Sequence, residues 1–201
     1  MILRSSPPSP FGRKVRIAAS LLGLDGEIKV ERADPTDAGD SLRRQNALGK
    51  IPVLITEDGT ALYDSRVILE YLDQRAGGGR IIPRDGAARF AALRQQALCD
   101  GILDACLLQV YEGRWRAPDR HEAKWMAYQG EKVDRALAEL EAGDLALDPL
   151  PHVGQIALAC TLGYRDLRFD GRWRAHYPRL VAWLDRFAAA VPAFAQTRVT
   201  V

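Results

Sequence analysis

The sequence predicts an α/β domain with the element order βαβαββα, followed by a domain made only of helices. Strand-like and helix-like stretches alternate in the first third of the chain, whereas long helical patterns of apolar residues fill the remainder. Between the two parts lies a stretch rich in glycine and proline, which both disfavour regular structure. We therefore expect domains at residues 1–76 and 87–201, joined by a linker at 77–86.

The elements of the first domain follow from apolar spacing and turn signals. Ser9 and Pro10 start a helix whose apolar positions continue to Leu22, and Gly23 ends it. The turn at 57–59, Glu-Asp-Gly, joins two strand-like stretches into a hairpin. The predicted elements are, in order, a strand at 1–4, a helix at 10–22, a strand at 28–32, a short irregular helix at 41–47, strands at 53–56 and 61–63, and a helix at 65–75.

The second domain shows helical patterns only. Its helices are predicted at 87–116, 119–142, 154–167 and 178–190. The first of them carries apolar residues on more than one face, namely Leu93, Leu98, Ile102, Leu103, Leu107 and Leu108. One stripe suffices for the core of the subunit, so a second stripe predicts a partner, and a two-fold homodimer is the commonest solution.

Composition and charge exclude several classes of function. With 47% hydrophobic and 27% charged residues, the chain of 201 residues has an ordinary globular composition. Its charges are interspersed and sum to +2, so the sequence shows no cluster of basic residues of the kind that binds nucleic acid. No apolar run approaches the roughly 20 residues of a membrane span. Arg4 and Pro7 interrupt any secretory signal, so we expect a cytoplasmic protein without a membrane partner.

The cysteine pattern argues against disulfide bonds and against a structural zinc site. Cys99, Cys106 and Cys160 are odd in number, and neither a C-x-x-C pair nor a paired histidine spacing accompanies them. This pattern disfavours a disulfide framework and a structural zinc site. We expect no metal in this protein.

The first candidate site is the Ser9-Pro10 pair at the start of the first helix. A serine before a proline is a strong helix start, because the hydroxyl can cap free backbone N–H groups. A hydroxyl at the positive end of a helix can also donate a hydrogen bond to a bound thiolate and so lower the pKa of the thiol. Both interpretations fit the pair when it is considered alone.

Two further pairs carry the same kind of ambiguity. A proline that opens a strand, as in Ile51-Pro52, often marks only a strand start, but a cis bond there would turn the Ile51 peptide groups toward an open sheet edge. Asp64-Ser65 precedes a helix, and these residue types commonly cap a helix N-terminus. The same pair could hold the zwitterionic end of an amino acid, because a helix N-terminus binds a carboxylate and Asp64 can pair with an ammonium group.

The segments 9–16, 46–54 and 64–72 together resemble, in order and spacing, the glutathione-site motifs of the cytosolic glutathione transferase superfamily. The resemblance is strong over the first 75 residues and looser beyond them. It implies a thioredoxin-like first domain with a bacterial, serine-type site for glutathione as co-substrate. It further implies that Ser9 faces the glutathione sulfur, that Ile51 pairs with the cysteinyl backbone before a cis Pro52, and that Asp64 and Ser65 hold the γ-glutamyl end.

Other site residues have alternatives that the sequence leaves open. Lys50 either contacts the tripeptide or is a solvated charge. In similar proteins an acidic residue of the long helix reaches the partner subunit's glutathione; Asp100 and Asp104, one turn apart, are the candidates, and an exposed or helix-bonded carboxylate is the alternative. Tyr111 and Trp115 could line the electrophile pocket, or belong to the core or a domain interface.

Two more expectations concern charged and capping residues. Arg13, Lys14 and Arg16 are predicted on a solvated face of the first helix. His152 stands where similar proteins commonly have the Ser or Thr of a capping box. Because His is a poorer cap than Ser or Thr, the start of that helix is uncertain, although Gln155 could still bond back to the backbone.

The predicted function is a glutathione transferase that ionises the glutathione thiol for attack on a small electrophile. The alternative is a non-catalytic, transferase-like module that binds a partner protein in transcription or stress responses. A redox enzyme is disfavoured, because Ser6-Pro7-Pro8-Ser9 stands where a C-x-x-C pair would lie. The identity of the electrophile, the reaction subtype, and the choice of Ser9 over Ser5 or Ser6 remain open.

Overall fold

The computed structural model describes residues 1–199 and confirms the fold class, with a four-stranded mixed sheet and its helices followed by helices alone. The strands are β1 (Ile2–Ser5), β2 (Lys29–Arg32), β3 (Val53–Ile55) and β4 (Ala61–Leu62). The helices are α1 (Pro10–Leu22), α2 (Leu42–Gln45), α3 (Ser65–Arg75), α4 (Gly86–Trp115), α5 (Ala123–Ala142), α6 (Val153–Arg168), α7 (Pro178–Ala190) and α8 (Pro192–Gln196).

The sheet brings the three predicted motifs to one end. Its strand order is β2-β1-β3-β4, with β1 parallel to β2 and antiparallel to β3, and β3 antiparallel to β4. Arg4 lies opposite Val53, and Leu54 lies opposite Leu62. The end of β1, the start of β3 and the end of β4 therefore share one end of the sheet. The three segments that carry Ser9, Ile51-Pro52 and Asp64-Ser65 all leave the sheet there.

Helix α1 packs against α3 on one side and against α6 on another, so it connects the sheet to the helical layer. Helix α6 is the centre of that layer, because residues 153–162 are all buried and α4 packs along it. The α1 helix ends where Gly23 adopts a left-handed φ of 75° and its N–H donates to the carbonyls of the last turn. A charged side chain on α1 can therefore meet protein on several sides.

The stretch predicted as a linker contains no helix or strand between Ala76 and Asp85, yet it is held firmly. The buried carboxylate of Asp73 accepts hydrogen bonds from the backbone N–H groups of Gly79, Arg80 and Ile81, at 2.7, 2.9 and 2.7 Å. The side chain of Ile81 lies in the core, and its carbonyl accepts from the N–H of Val153. The placement of domain boundaries at 77–86 stays a prediction.

The helical domain differs from the sequence predictions at the start of α5, in the additional helix α8 and at the cap of α6. Helix α5 begins at Ala123 rather than 119, because residues 118–120 form a 3₁₀ turn and the Glu122 carboxylate caps the helix by accepting from the Lys124 N–H. Helix α8 was not predicted. At α6 the expectation of a poor cap was wrong, because His152 and Gln155 form a complete capping box.

Candidate functional site

Ser9 caps α1, and its geometry leaves a proton available. The residue has an extended backbone, and its Oγ accepts a hydrogen bond from the Gly12 N–H at 3.1 Å. A hydroxyl has two acceptor lone pairs and one donor hydrogen. The capping bond uses a lone pair, so the hydrogen can still be donated to an anion at the positive end of the helix. The two interpretations of Ser9 are therefore compatible with each other.

The other two serines of this segment occupy different surroundings. Ser5 is buried at the end of β1, and its Oγ would clash with a Cβ on Gly12. Glycine at position 12 thus lets the first turn of α1 pack directly on Ser5. Ser6 is half-buried, and its carbonyl accepts from the Ser9 N–H at 3.0 Å. Of the three, only Ser9 bonds the α1 terminus through its side chain.

The peptide bond between Ile51 and Pro52 is cis. Asn46 shapes the preceding turn, since its side chain donates to the Lys50 carbonyl and accepts from the Leu48 N–H, both at 3.0 Å. Strand β4 consists of two residues and pairs with Leu54 and Ile55, so within residues 1–199 no strand covers the β4-facing side of Ile51. This arrangement offers backbone groups to an extended peptide.

The start of α3 combines a cap with an ion pair. One oxygen of Asp64 accepts from the Arg66 N–H at 2.9 Å, and the other lies 3.7 Å from Arg66 Nε. The Asp64 side chain remains largely exposed, while Ser65 is buried. Arg66 Nε also lies 3.3 Å from Asp100 of α4. Sequence reasoning missed Arg66, although a basic residue directly after Asp64-Ser65 was visible.

Asp100 lies in an ion pair within the chain and is not exposed to a second subunit. Its Oδ1 accepts a hydrogen bond from Lys14 Nζ at 2.6 Å, and the two side chains are 1% and 0% exposed. The prediction that Lys14 belongs to a solvated face was wrong. The pair joins α1 to α4 across the interior, because α1 is enclosed between the sheet side and the helical layer.

Arg13 is also not on a solvated face. Its guanidinium lies 4.1 Å from the centre of the Phe194 ring, and its Nε donates to Thr197 Oγ1 at 3.1 Å. Burial lowers the pKa of Arg13 below its ordinary value. These contacts tie α1 to α8, the helix that the sequence did not predict. Arg16, the third residue of the predicted face, is half-buried.

Asp104 is the carboxylate of α4 that remains accessible. It lies one turn after Asp100 and is exposed at the surface. Although the residue is exposed, neighbouring protein atoms partly desolvate its carboxyl group and raise the pKa of Asp104; the charge of Asp100 raises it further, while Arg66 and Lys50 act in the opposite direction. Asp104 therefore lies within the electrostatic reach of the predicted glutathione site, together with the exposed Lys50.

Tyr111 and Trp115 line a groove of about 510 Å³ between α4 and α5, together with Leu108 and Trp125. Trp115 is 67% exposed, so the pair does not belong to the core. At about 100° per residue, positions 100, 104, 108, 111 and 115 fall within an arc of about 80° on α4. One face of this helix thus leads from the acidic residues beside Arg66 to the aromatic groove.

Glu112 forms the polar base of this groove, and sequence reasoning missed it. It is buried, and it accepts hydrogen bonds from Arg116 at 2.5 Å and from the N–H of Glu122 at 3.0 Å. The hydrogen bond from Arg116 is the main reason that the pKa of Glu112 is lowered. This carboxylate fixes the start of α5 against the end of α4. Trp125 reaches the groove through the same connection and was also missed.

The three cysteines are buried, and their thiols have raised pKa values, so they are protonated near neutral pH. Burial raises the pKa of Cys106 and of Cys160 to about 11, and raises that of Cys99 further. Among residues 1–199, no three His, Cys, Asp or Glu side chains gather closely enough to hold a metal ion. Within the same part of the chain, none of the helices combines the length and the hydropathy of a membrane span.

Comparisons with known proteins show the family of the chain. Residues 8–75 match the family model for the glutathione S-transferase N-terminal domain. An uncharacterized GST-like protein of Escherichia coli, YibF, is 34% identical over 98% of this chain and 98% of its own. A glutathione transferase family member from Pseudomonas fluorescens, solved with bound glutathione, is 41% identical, covers 100% of this chain and 99% of its own, and has a TM-score of 0.92. The corresponding values for a glutathione S-transferase of Methylobacillus flagellatus, solved with glutathione, are 35%, 99%, 99% and 0.91. The chain therefore belongs to the glutathione S-transferase family.

Proposed function

We propose that this protein is a glutathione transferase that binds glutathione at the shared end of the sheet and activates its thiol for attack on a small electrophile. The observation that carries the proposal is the convergence of the α1 start, the Ile51-Pro52 segment before β3 and the α3 start at that end. Each supplies a different chemical group. Together they match a thiol, a peptide backbone and a zwitterionic amino-acid end.

Ser9 is the proposed activating residue. Its free hydroxyl hydrogen and the positive end of α1 both favour a thiolate over a thiol. Each unit by which the thiol pKa falls corresponds to about 1.4 kcal/mol of preference for the charged form. The thiolate then forms a bond from sulfur to the electrophilic atom, and the displaced group leaves with its electron pair.

The remaining motifs hold the tripeptide. The N–H and C=O of Ile51 pair with the cysteinyl residue of glutathione, while the α3 N-terminus and Ser65 bind the γ-glutamyl carboxylate. The exposed carboxylate of Asp64 pairs with the ammonium group. Lys50 is exposed beside this site and contributes charge to it. The electrophile binds in the groove that Tyr111 and Trp115 line.

A homodimer completes the proposal. On the α3–α4 surface, Val67 and the 71% exposed Phe90 flank an ion pair between Glu70 and Arg89 at 2.8 Å. These are not the residues that the sequence singled out, since Ile102 and Leu103 lie in the core of the chain itself. In such a dimer Asp104 is the carboxylate that reaches the partner subunit's glutathione.

Sedimentation should give a mass near twice the 22.2 kDa of one chain, and Phe90→Glu should shift it toward the monomer.

The experiment on Ser9 tests the proposed chemistry. Ser9→Ala should lower turnover with an aryl halide by about 10- to 100-fold, because one charge-assisted hydrogen bond to the thiolate is lost. Glutathione affinity should change little, since the ends of the tripeptide keep their partners. Ser6→Ala is the matched control in the same segment. Full activity of Ser9→Ala would leave Ser9 as a cap only, and a loss in Ser6→Ala would move the role to that residue.

Retention on glutathione agarose separates the enzyme from its alternative, the non-catalytic module that binds a partner protein. The complete set of Ser9, Ile51-Pro52 and Asp64-Ser65 supports the enzyme, because a module without catalysis has no need of all three. The enzyme should be retained and should elute with free glutathione. A chain that passes through unretained, and shows no thermal shift at saturating glutathione, would favour the module.

A further inference from the structure

The groove between α4 and α5 has walls of aromatic rings that a ligand can reach from solvent. Tyr111, Trp115 and Trp125 line it, and these residues are 38%, 67% and 39% exposed. Leu108, also exposed, adds an aliphatic side chain to the same surface. An exposed apolar surface with a concave shape commonly marks a binding site. The chemistry of the ligand can therefore be inferred from the ring faces and from the charges beside them.

The ring faces of the groove favour a cation. The face of an aromatic ring attracts a positive charge, and tryptophan does so most strongly. The Tyr111 ring already has a cationic side chain over it, since the Arg114 guanidinium lies 5.0 Å from the ring centre. Across residues 1–199, no Lys or Arg side chain lies over the rings of Trp115 and Trp125. The two strongest cation-binding rings of the groove thus have no cation of their own.

The charged groups of the groove leave one negative charge uncompensated. Glu112, Arg116 and Glu122 line it, and the first two form an ion pair at 2.5 Å. One oxygen of the exposed Glu122 caps α5 by accepting from the Lys124 N–H at 3.0 Å. In the part of the chain that the structure describes, no cationic side chain lies within ion-pair distance of Glu122. This carboxylate favours a cationic ligand over an anionic one.

We propose that the groove selects electrophiles that carry an organic cation, such as a quaternary ammonium or an alkylated pyridinium group. The cationic group contacts the Trp115 and Trp125 rings, and the Glu122 carboxylate balances its charge. A cation whose charge is spread over carbon groups suits these apolar walls, because a strongly hydrated ion loses more on leaving water. The assignment of this ligand as a substrate rests on the proposed transferase function, whereas its binding in the groove does not.

Two probes of the same shape test the charge by calorimetry at neutral pH without glutathione. 3-(Trimethylammonio)phenol and 3-tert-butylphenol differ only in the nitrogen or carbon at the centre of the substituent, and therefore in one positive charge. The cationic probe should bind about tenfold more tightly, because only the cation gains from the ring faces and from the carboxylate. Equal affinities, tighter binding of the neutral probe, or no binding of either would overturn the proposal.

Ring variants assign the binding to this groove. Trp125→Leu keeps apolar surface and removes the ring face, so the preference for the cationic probe should fall below about threefold. Tyr128→Leu is the matched control, because Tyr128 is an exposed aromatic residue on the same helix outside the groove. It should leave the preference unchanged. Equal losses in the two variants would reject a defined site.

A charge variant tests the role of the carboxylate. Glu122→Gln keeps an oxygen that can cap α5 and removes the negative charge, so the cationic probe should bind about fivefold more weakly and the neutral probe should be unaffected. Asp119→Asn removes an exposed carboxylate in the 3₁₀ turn before α5 and is the control. A loss no larger in Glu122→Gln than in Asp119→Asn would overturn the role of Glu122.

Competition separates this proposal from the proposed transferase function. In turnover assays the cationic probe should compete with an aryl halide and leave the affinity for glutathione unchanged. Binding of the probe without competition would overturn the assignment of the groove to the electrophile. An absence of any turnover, with the probe bound as expected, would reject the transferase function and leave the cation site in place.

Discussion

Helix α1 carries two kinds of polar group, and they behave differently. At its start, Ser9 is partly exposed and bonds the backbone three residues away. Further along, Lys14 is buried and bonds Asp100, which is 86 residues away in the sequence. A group of the first kind depends on local backbone geometry and leaves a side chain free for chemistry. A group of the second kind joins α1 to the helical layer, so its removal should affect folding before it affects catalysis.

The largest effect is expected from Asp100→Ala. Removal of this carboxylate leaves the Lys14 ammonium buried without its partner, which should lower the free energy of unfolding by about 3–5 kcal/mol. Denaturation by urea measures the change. Asp104→Ala is the matched control one turn away, and as an exposed change it should cost less than about 0.5 kcal/mol.

A double variant sharpens the same comparison. Lys14→Met combined with Asp100→Leu removes both charges and keeps apolar volume, so most of the stability should return. If the single Asp100→Ala variant were as stable as the parent chain, the ion pair would not connect the two layers energetically. If the double variant were no better than the single one, packing rather than charge would explain the loss.

A smaller and different effect is expected at the start of α3. Asp64→Ala should raise the dissociation constant of glutathione by about 10- to 100-fold, because a charged hydrogen bond to the ligand is lost. Its urea midpoint should change much less than that of Asp100→Ala, since Asp64 is largely exposed. Gln74→Ala, an exposed position near the end of the same helix, is the control for affinity. Unchanged affinity in Asp64→Ala would leave Asp64 as a helix cap only.

The difference between local contacts and contacts distant in the sequence also explains what the sequence could predict. The bounds of α1, α3 and α7 agree with the predictions because a proline or a capping residue marks each start. The Ser9, Ile51-Pro52 and Asp64-Ser65 pairs could be proposed for the same reason, since each stands at an end of an element. Burial of Arg13 and Lys14 could not be predicted, because it depends on α6 and α8 packing against α1 from distant parts of the chain.

Helix α4 shows the same limit of sequence-based prediction. Spacing alone placed Tyr111 and Trp115 on a common face, and the structure places them in a groove. The partners that complete the groove, Glu112 and Trp125, depend on how α5 returns along α4. Asp100 and Asp104 looked equivalent in sequence. Only the position of Lys14 distinguishes them, and that position is a tertiary property.

The smallest effect concerns the two helix caps, Ser9 and His152, which differ in their response to pH. His152 Nδ1 accepts from the N–H groups of Gly154 and Gln155, so the neutral ring caps α6 and a protonated ring cannot. Burial lowers the pKa of His152, while Asp148, 3.8 Å from Nε2, opposes this shift. The folded-state pKa thus lies below the unfolded value of about 6.5.

The cap at His152 should therefore stabilise the protein fully above pH 6.5 (about the unfolded pKa) and lose this contribution as pH falls through the lower folded-state value. The expected loss is about 1 kcal/mol, the usual contribution of a cap. His152→Asn keeps an acceptor that does not titrate in this range, so its urea midpoint should fall less than that of the parent chain between about pH 7 and pH 5. Ser9→Ala should leave the pH dependence of stability unchanged, because a hydroxyl cap carries no titrating group. An identical pH profile for the parent and His152→Asn would mean that Asp148 holds the protonated ring well enough to replace the lost cap.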